Sequence, residues 1–476
     1  MSAEELTRLT AREAVSRLKR HEITPQELVE AALARIAAVD PAINALPTIC
    51  AERALAAAAK AAPDSLLAGL PIAIKDLTDV AGVRSTQGSP IFADHVPARS
   101  DLMVERIEAH GGVVLAKSNT PEFGAGANTF NAVFGETRNP WNTALTCAGS
   151  SGGSAAALAA GEIWLATGSD LGGSLRTPAS FCGVVGIRPS PGRVASGPSE
   201  LPFGTLAVEG PMGRNVGDAA LLLDAMVGEH AEDPLALPAP AGSYRAQAER
   251  PRLPRRVAFS ADLGICPMDP ETVRIARAGA ERLAREGVEV VEACPDFSEA
   301  PAAFKTLRAL GFVASLKEQY DRNRDKLKPD VIWNIEHGLG LDAETIARAE
   351  RARGRLFQRL AGFFQEFDLL ICPAAQVPPF AVDTRWVREI AGQALDNYVE
   401  WIRITYAITL TGSPVVALPC GITADGRPVG LQLVGRPRGE APLIAAAAAF
   451  EALTGLADKV PLAPRGPGGP AAGPRR

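Results

Sequence analysis

The chain has 476 residues, 47% hydrophobic and 22% charged, with a formal net charge of -5; this is ordinary globular composition, able to bury a substantial core. The mild acidic balance gives no electrostatic reason to expect nucleic acid, and no apolar run is long enough to cross a membrane. Seven cysteines stand singly at Cys50, Cys147, Cys182, Cys266, Cys294, Cys372 and Cys420, without a CxxC pair or metal-finger spacing, so a reduced, cytoplasmic protein with no structural metal is expected.

The opening "MSAEELTRLTAREAV" lacks the basic and apolar regions of a secretion signal. Residues 3–60 read as helical, first through "AEELTRLTAREAVSRLKRHE" and then through "TPQELVEAALARIAAVD". In the second, Thr24 stands as N-cap, with Pro25 at the first helical position and Glu27 at capping-box distance. Its Leu28, Ala31, Ala32, Ile36 and Ala37 fall on one apolar face. "LAGLPIAIKD" (67–76) and "GGVVLAKSNT" (111–120) read as short buried strands, "SAAALAA" (154–160) as a helix and "EIWLAT" (162–167) as another strand. From about 215 to 365 the pattern is mainly helical. "DLLICPA" (368–374), "SPVVALPCGI" and "PVGLQLVG" then read as strands, before the closing helix "EAPLIAAAAAFEALTG".

Short apolar strands between helices predict an α/β fold with a largely parallel sheet covered on both faces. Length alone admits two or three domains, but no convincing linker interrupts 60–460. A single domain over 1–462 is therefore expected: a helical N-terminal part (3–60), a core (65–215), a mainly helical region (215–365), and a C-terminal sheet and helix (366–462). The Pro/Gly-rich tail 463–476 is expected to be disordered.

Three places carry chemistry. Only nine lysines occur, so Lys75 at the end of an apolar strand stands out. Burial there would lower its pKa and make it a general base; the plainer reading pairs it with Asp76 or Asp79 at the strand end. Gly149-Ser150-Ser151-Gly152-Gly153 fits the G-x-S-x-G nucleophile elbow around Ser151. However, "NPWN" before it is a turn, "TALTCA" is a poor strand, and none of the five histidines (His21, His95, His110, His230, His337) neighbours a serine cluster. A Ser/Gly cap opening the next helix is the plainer account. In "TGSDLGGSLR" (167–176), the Gly172-Gly173 turn can aim backbone N–H groups into one small volume for an oxyanion beside Ser174, or for a phosphate. Neither cluster has the ending of a P-loop or the G-x-G-x-x-G spacing, and a plain strand-to-helix connection also fits. Ser16-Arg17-Leu18-Lys19 fits S-x-x-K but lies in a charged amphipathic helix.

The order Lys75, "CAGSSGGSAAALAAG", "GSDLGGSLRTPASFCGVVGIRPSPGRV" resembles the amidase signature family. So do "TPQELVEAALARIAAVDPAINA", "GLPIAIKD", "TRNPWN", "DLLICPA" and "GSPVVALPCGI…GRPVGLQLVG", which extends the resemblance to nearly the whole chain. The resemblance implies a large mixed central sheet and a Ser–cis-Ser–Lys triad. Ser174 would be the nucleophile, Ser150 the bridging serine after a cis Gly149–Ser150 bond, and Lys75 the base. Leu171, Gly172 and Gly173 would offer oxyanion N–H groups. Gly149, Ser151, Ser154, Asp170 and Arg176 would support the two loops. The segment 123–142, with Gly124, Asn128 and Thr129, and helices around 305–340 would line the substrate pocket.

No cofactor or metal is implied, and a homodimer is compatible with the family. The expected activity is hydrolysis of the C–N bond of a small aliphatic or aryl carboxamide, with esters or carbamates as further substrates. The alternative is the glutaminase (the A subunit) of a tRNA-dependent amidotransferase. Such glutaminases carry an acid seven positions before the Asn of N-L-A-G; here Ile402 precedes Thr409-Leu410-Thr411-Gly412, which argues against glutamine. A membrane-bound fatty-acid amide hydrolase is disfavoured for lack of an N-terminal apolar segment. An inactive binding module is disfavoured because all three triad positions are intact.

Overall fold

The computed structural model describes residues 1–466. The first expected helix is divided into Ala3–Arg8 and Ala11–Lys19. The break is chemical: Thr10 caps the second helix in a capping box with Glu13, while the Ala11 and Arg12 N–H groups donate to the Asp218 carboxylate at 3.0 and 3.1 Å. The next helix, Pro25–Ile43, starts as read from the sequence, with Thr24 Oγ1 accepting from the Glu27 N–H.

Eleven strands form one central sheet: β1 (Thr48–Ile49), β2 (Pro71–Lys75), β3 (Val113–Ser118), β4 (Leu165–Asp170), β5 (Val185–Arg188), β6 (Val208–Gly213), β7 (Arg256–Phe259), β8 (Glu289–Glu292), β9 (Leu369–Pro373), β10 (Val415–Ile422) and β11 (Pro428–Val434). Their order across the sheet is β1-β3-β2-β4-β6-β5-β10-β11-β9-β7-β8. The expectation of a largely parallel sheet holds only toward the ends, where β3, β2 and β4 run parallel, as do β9, β7 and β8. The centre, from β4 through β6, β5, β10 and β11 to β9, is antiparallel. The sheet is thus mixed.

Both faces are buried. In β9, Leu369 and Ile371 join one apolar core while Leu370 and Cys372 join the other, the period-2 signature of a sheet between two helical layers. The helix Gly152–Ala159 is buried along its whole length. The 215–365 region is mainly helical as expected, but β7 and β8 come from it; each is only four residues long, and Arg256, Glu289 and Glu292 hide their apolar pattern.

β4 starts at Leu165 rather than 162 and runs on through Gly168, Ser169 and Asp170. Those last residues are poor strand formers, yet pairing with β6 on one side holds them extended. Gly168 is needed for close approach, since a Cβ there would lie 2.7 Å from Ser151 Oγ.

The tail expected to be disordered from residue 463 is tied down as far as Arg465. Its N–H donates to the Pro140 carbonyl at 3.0 Å, its carbonyl accepts from the Thr143 N–H at 2.9 Å, and its guanidinium lies 5.3 Å from the Trp141 ring centroid. The remainder of that expectation, 467–476, lies outside the described residues. No helix among the described residues is long and apolar enough to cross a membrane.

Candidate active site

Lys75 ends β2 and is fully buried, but neither Asp76 nor Asp79 is its partner. Asp76 instead accepts from Lys117 Nζ at 2.9 Å and from Thr86. Three hydroxyls surround Lys75 Nζ: Ser150 Oγ at 2.6 Å, Ser151 Oγ at 2.9 Å and Ser169 Oγ at 2.8 Å. Burial pushes the ammonium pKa well below the ordinary lysine value, against the opposing pull of Glu209 and Asp170. Ser151, the elbow candidate, is therefore a lysine partner that also bonds the Ser169 backbone on both sides, at 3.3 Å each.

Ser150 follows a cis Gly149–Ser150 peptide bond. Its loop is clamped by the two polar residues expected at the substrate. Thr129 Oγ1 donates to the Ala148 carbonyl at 2.8 Å and accepts from the Gly152 N–H at 3.1 Å. Asn128 Oδ1 accepts from Thr146 Oγ1 at 2.9 Å, and its Nδ2 donates to the Arg385 carbonyl at 2.8 Å. Through these bonds Asn128 and Thr129 hold the serine loop in place. Gly149 sits against them: a Cβ there would come 3.0 Å from the Asn128 backbone. Gly124 lies beside Ser150, where a Cβ would be 3.5 Å from its Oγ. Ser154 donates to the Thr167 carbonyl at 2.7 Å and shares a bond with Ser118 Oγ at 2.6 Å, fastening its helix to β4 and β3.

Ser174 is half-buried in the turn that follows β4. Its carbonyl accepts from the Ser151 N–H at 3.2 Å, which lays the two serine loops side by side. Asp170 shapes the turn. One carboxylate oxygen accepts from the Gly173 N–H at 3.0 Å, the other from the Leu175 N–H at 3.1 Å. Gly173 is therefore removed from the expected oxyanion donors, because its N–H is already spent. The N–H groups of Leu171, Gly172 and Ser174 have no acceptor among the described residues. Gly173 has φ +124, and a Cβ there would strike Thr405 Oγ1 at 2.3 Å, so only glycine fits.

Asp170 is itself held by two buried guanidiniums. Arg176 Nε and Nη2 donate to it at 3.0 and 2.9 Å, and Arg188 Nη1 at 3.2 Å. Burial alone would raise this carboxyl, but Arg176 and Arg188 hold it well below the usual carboxylate range. Arg176 also donates to the Thr405 carbonyl at 2.7 Å, Gln432 Oε1 at 2.9 Å and Thr409 Oγ1 at 2.8 Å. Asp170→Asn would strand two buried cations, so a loss of about 3–5 kcal/mol in urea unfolding is expected.

Beside Gly172 the surroundings are apolar. A Cβ on Gly172 would be 3.2 Å from Phe304 Cζ and 3.3 Å from Ile402 Cδ1, and Leu171 and Leu206 belong to the same cluster. Phe304 comes from the helix Ala300–Asn323, inside the region expected to contribute the pocket. Sequence reasoning missed Ser169 and Glu209. The signal for Ser169 was Thr167 and Ser169 alternating on one strand face, since Thr167 Oγ1 accepts from the Lys75 N–H at 3.1 Å and Ser169 meets its Nζ. Among the described residues no group of three or more His, Cys, Asp or Glu is placed to hold a metal ion.

The fold and the comparisons with known proteins define the class first: the protein is an amide hydrolase. More narrowly, the chain belongs to the amidase signature family, whose model, described as Amidase, matches residues 27–444. It is 33% identical over 471 residues to an acylamidase of Rhodococcus erythropolis, covering 97% of this chain and 98% of that protein. It is also 34% identical over 482 residues to the A subunit of the glutamyl-tRNA(Gln) amidotransferase of Anaeromyxobacter dehalogenans, covering 94% and 97%. A crystal structure of a bacterial aryl acylamidase of the amidase signature family matches with a TM-score of 0.89 at 27% identity, over 95% of this chain and 98% of that one.

Proposed function

We propose that the protein cleaves the C–N bond of a small carboxamide with an apolar acyl or aryl group, through a seryl acyl-enzyme made by Ser174, Ser150 and Lys75. The observation that carries this reading is the 2.6 Å bond between Lys75 Nζ and Ser150 Oγ, deep in a site that favours the neutral amine. Ser174 Oγ attacks the carbonyl carbon and gives its proton to Ser150, which passes its own to Lys75. The oxyanion forms against the N–H groups of Leu171, Gly172 and Ser174, which are unspent among the described residues. Collapse breaks the C–N bond as the proton returns from Lys75 through Ser150 to the leaving nitrogen. Water then enters and releases the acid by the same relay. We place this reaction in the cytoplasm, with the small amide as the partner, and a homodimer is compatible with it.

Phe304 and Ile402 beside Gly172 favour an apolar acyl group over a charged one. The likeness to the A subunit of an amidotransferase supports a second reading, a glutaminase that passes ammonia to a partner. Ile402 weighs against it, because the acid such glutaminases use on glutamine is replaced there by an alkyl group. The deciding experiment is release of amine or ammonia from a panel of amides, anilides, esters, carbamates and glutamine. Turnover of apolar amides, with an acyl intermediate trapped by hydroxylamine, is the expected result. Activity on glutamine alone, and only with a co-purifying partner protein, would overturn the proposal in favour of the second reading.

A further inference from the structure

Lys75 has three hydroxyl neighbours, and each of those hydroxyls also owns a proton that needs an acceptor. Ser151 donates to the Ser169 carbonyl at 3.3 Å. Ser150 is the relay toward Ser174 in the reading above. Ser169 accepts from Lys75 Nζ at 2.8 Å but has no acceptor for its own proton among the described residues. Directly across the β4–β6 ladder from Ser169 stands Glu209, in an antiparallel register that puts both side chains on one face of the sheet. Glu209 Oε2 is sealed from solvent and has no hydrogen-bond partner among the described residues. The hydroxyl and the carboxylate thus stand across one rung of the ladder on one face of the sheet, both half-buried and not bonded to each other, beside the buried amine.

We propose that Glu209 is a positioning residue of the amide-hydrolysis site, acting across Ser169 as the counter-charge to the ammonium formed when Lys75 takes up its proton. This rests on the Lys75-base reading and adds to it a reason why a buried amine can become an ammonium. Glu209 forms no bond to substrate and takes no proton from the relay; its half-buried carboxylate stands opposite the charge that arises on Lys75 when the relay delivers the proton there. The shifts run the same way. Burial pushes the Glu209 carboxyl above its ordinary range, and Lys75 is what pulls it back. The other charged groups near the pair are accounted for. Asp170 is paired with Arg176 and Arg188, though it also pulls on Lys75, and Lys117 is paired with Asp76. Asp101, pushed up to about 7 by burial and by Asp79, adds to the repulsion on Glu209.

The test uses Glu209→Gln, which keeps shape and removes charge, and reads the rate at which a fluorophosphonate inactivates Ser174 across pH, so that no substrate need be known. With its counter-charge gone, the Lys75 ammonium is less stable, so the acid limb should move to lower pH by on the order of one unit. The plateau rate should fall about tenfold, because the charged lysine of the transition state is uncompensated. Glu209→Asp should restore most of the plateau, and its thermal unfolding guards against a mere folding defect. An acid limb and plateau equal to the parent's in Glu209→Gln would overturn the proposal, as would an equal loss in both variants with an unmoved limb. Lys75→Ala separates the two claims. If it still reacts at the parent rate, the lysine-base reading fails. If it is inert while Glu209→Gln behaves as the parent, only the role of Glu209 fails.

Discussion

Ser174→Ala should abolish amide turnover, by on the order of 10⁴-fold or more, while the fold survives. Without the Oγ no acyl-enzyme can form, and what remains is the polarising effect of the N–H groups at Leu171, Gly172 and residue 174. The substitution is structurally mild. Ser174 is half-buried, its hydroxyl has no hydrogen-bond partner among the described residues, and its bond from the Ser151 N–H uses the main-chain carbonyl, which alanine keeps. A change in urea midpoint beyond that of about 0.5 kcal/mol is not expected. Turnover near the parent rate on the best substrate would refute the assignment of the nucleophile.

The second large effect is expected at Lys75. Lys75→Ala should cost at least about 10³-fold, since neither Ser150 nor Ser151 can hold a proton that has nowhere to go. Lys75→Met fills the space of the stem and isolates the amine. Its stability gives an independent check with a definite sign. In the parent the folded-state lysine pKa is depressed below its ordinary 10.5, so the unfolded chain binds the proton more readily. Folding stability therefore rises with pH across the interval up to 10.5. In the Met variant this slope is absent, whereas retention of the slope would mean that Lys75 is not the group responsible.

That Lys75, Ser150 and Ser151 meet was legible only in part: a lysine ending an apolar strand and the two Gly/Ser turns leave a local mark, while the roles proposed for them came from the family resemblance. The capped Pro25–Ile43 helix and the C-terminal strands were plain. What escaped was non-local. That Gly168, Ser169 and Asp170 extend a strand follows from partners more than thirty positions away, not from their own propensity. That Gly173 is spent on Asp170, and that Asn128 and Thr129 clamp a loop, depends on which hydrogen bonds close in three dimensions. The antiparallel centre of the sheet was hidden for the same reason: β5 finds β10 across more than two hundred residues.

The bonds from Arg176 to Thr405, Thr409 and Gln432 have a consequence for the order of events during synthesis. Ser174 leaves the ribosome early, yet the guanidinium that steadies its loop meets those acceptors only after almost the entire chain has been made. A nascent chain arrested before residue 432 would carry Lys75, Ser150 and Ser174 without the scaffold that aligns them. Such a chain should resist phosphonate labelling until the last two strands of the sheet have emerged. In the proposed mechanism, Ser174 would then become reactive only at the end of the chain's own assembly.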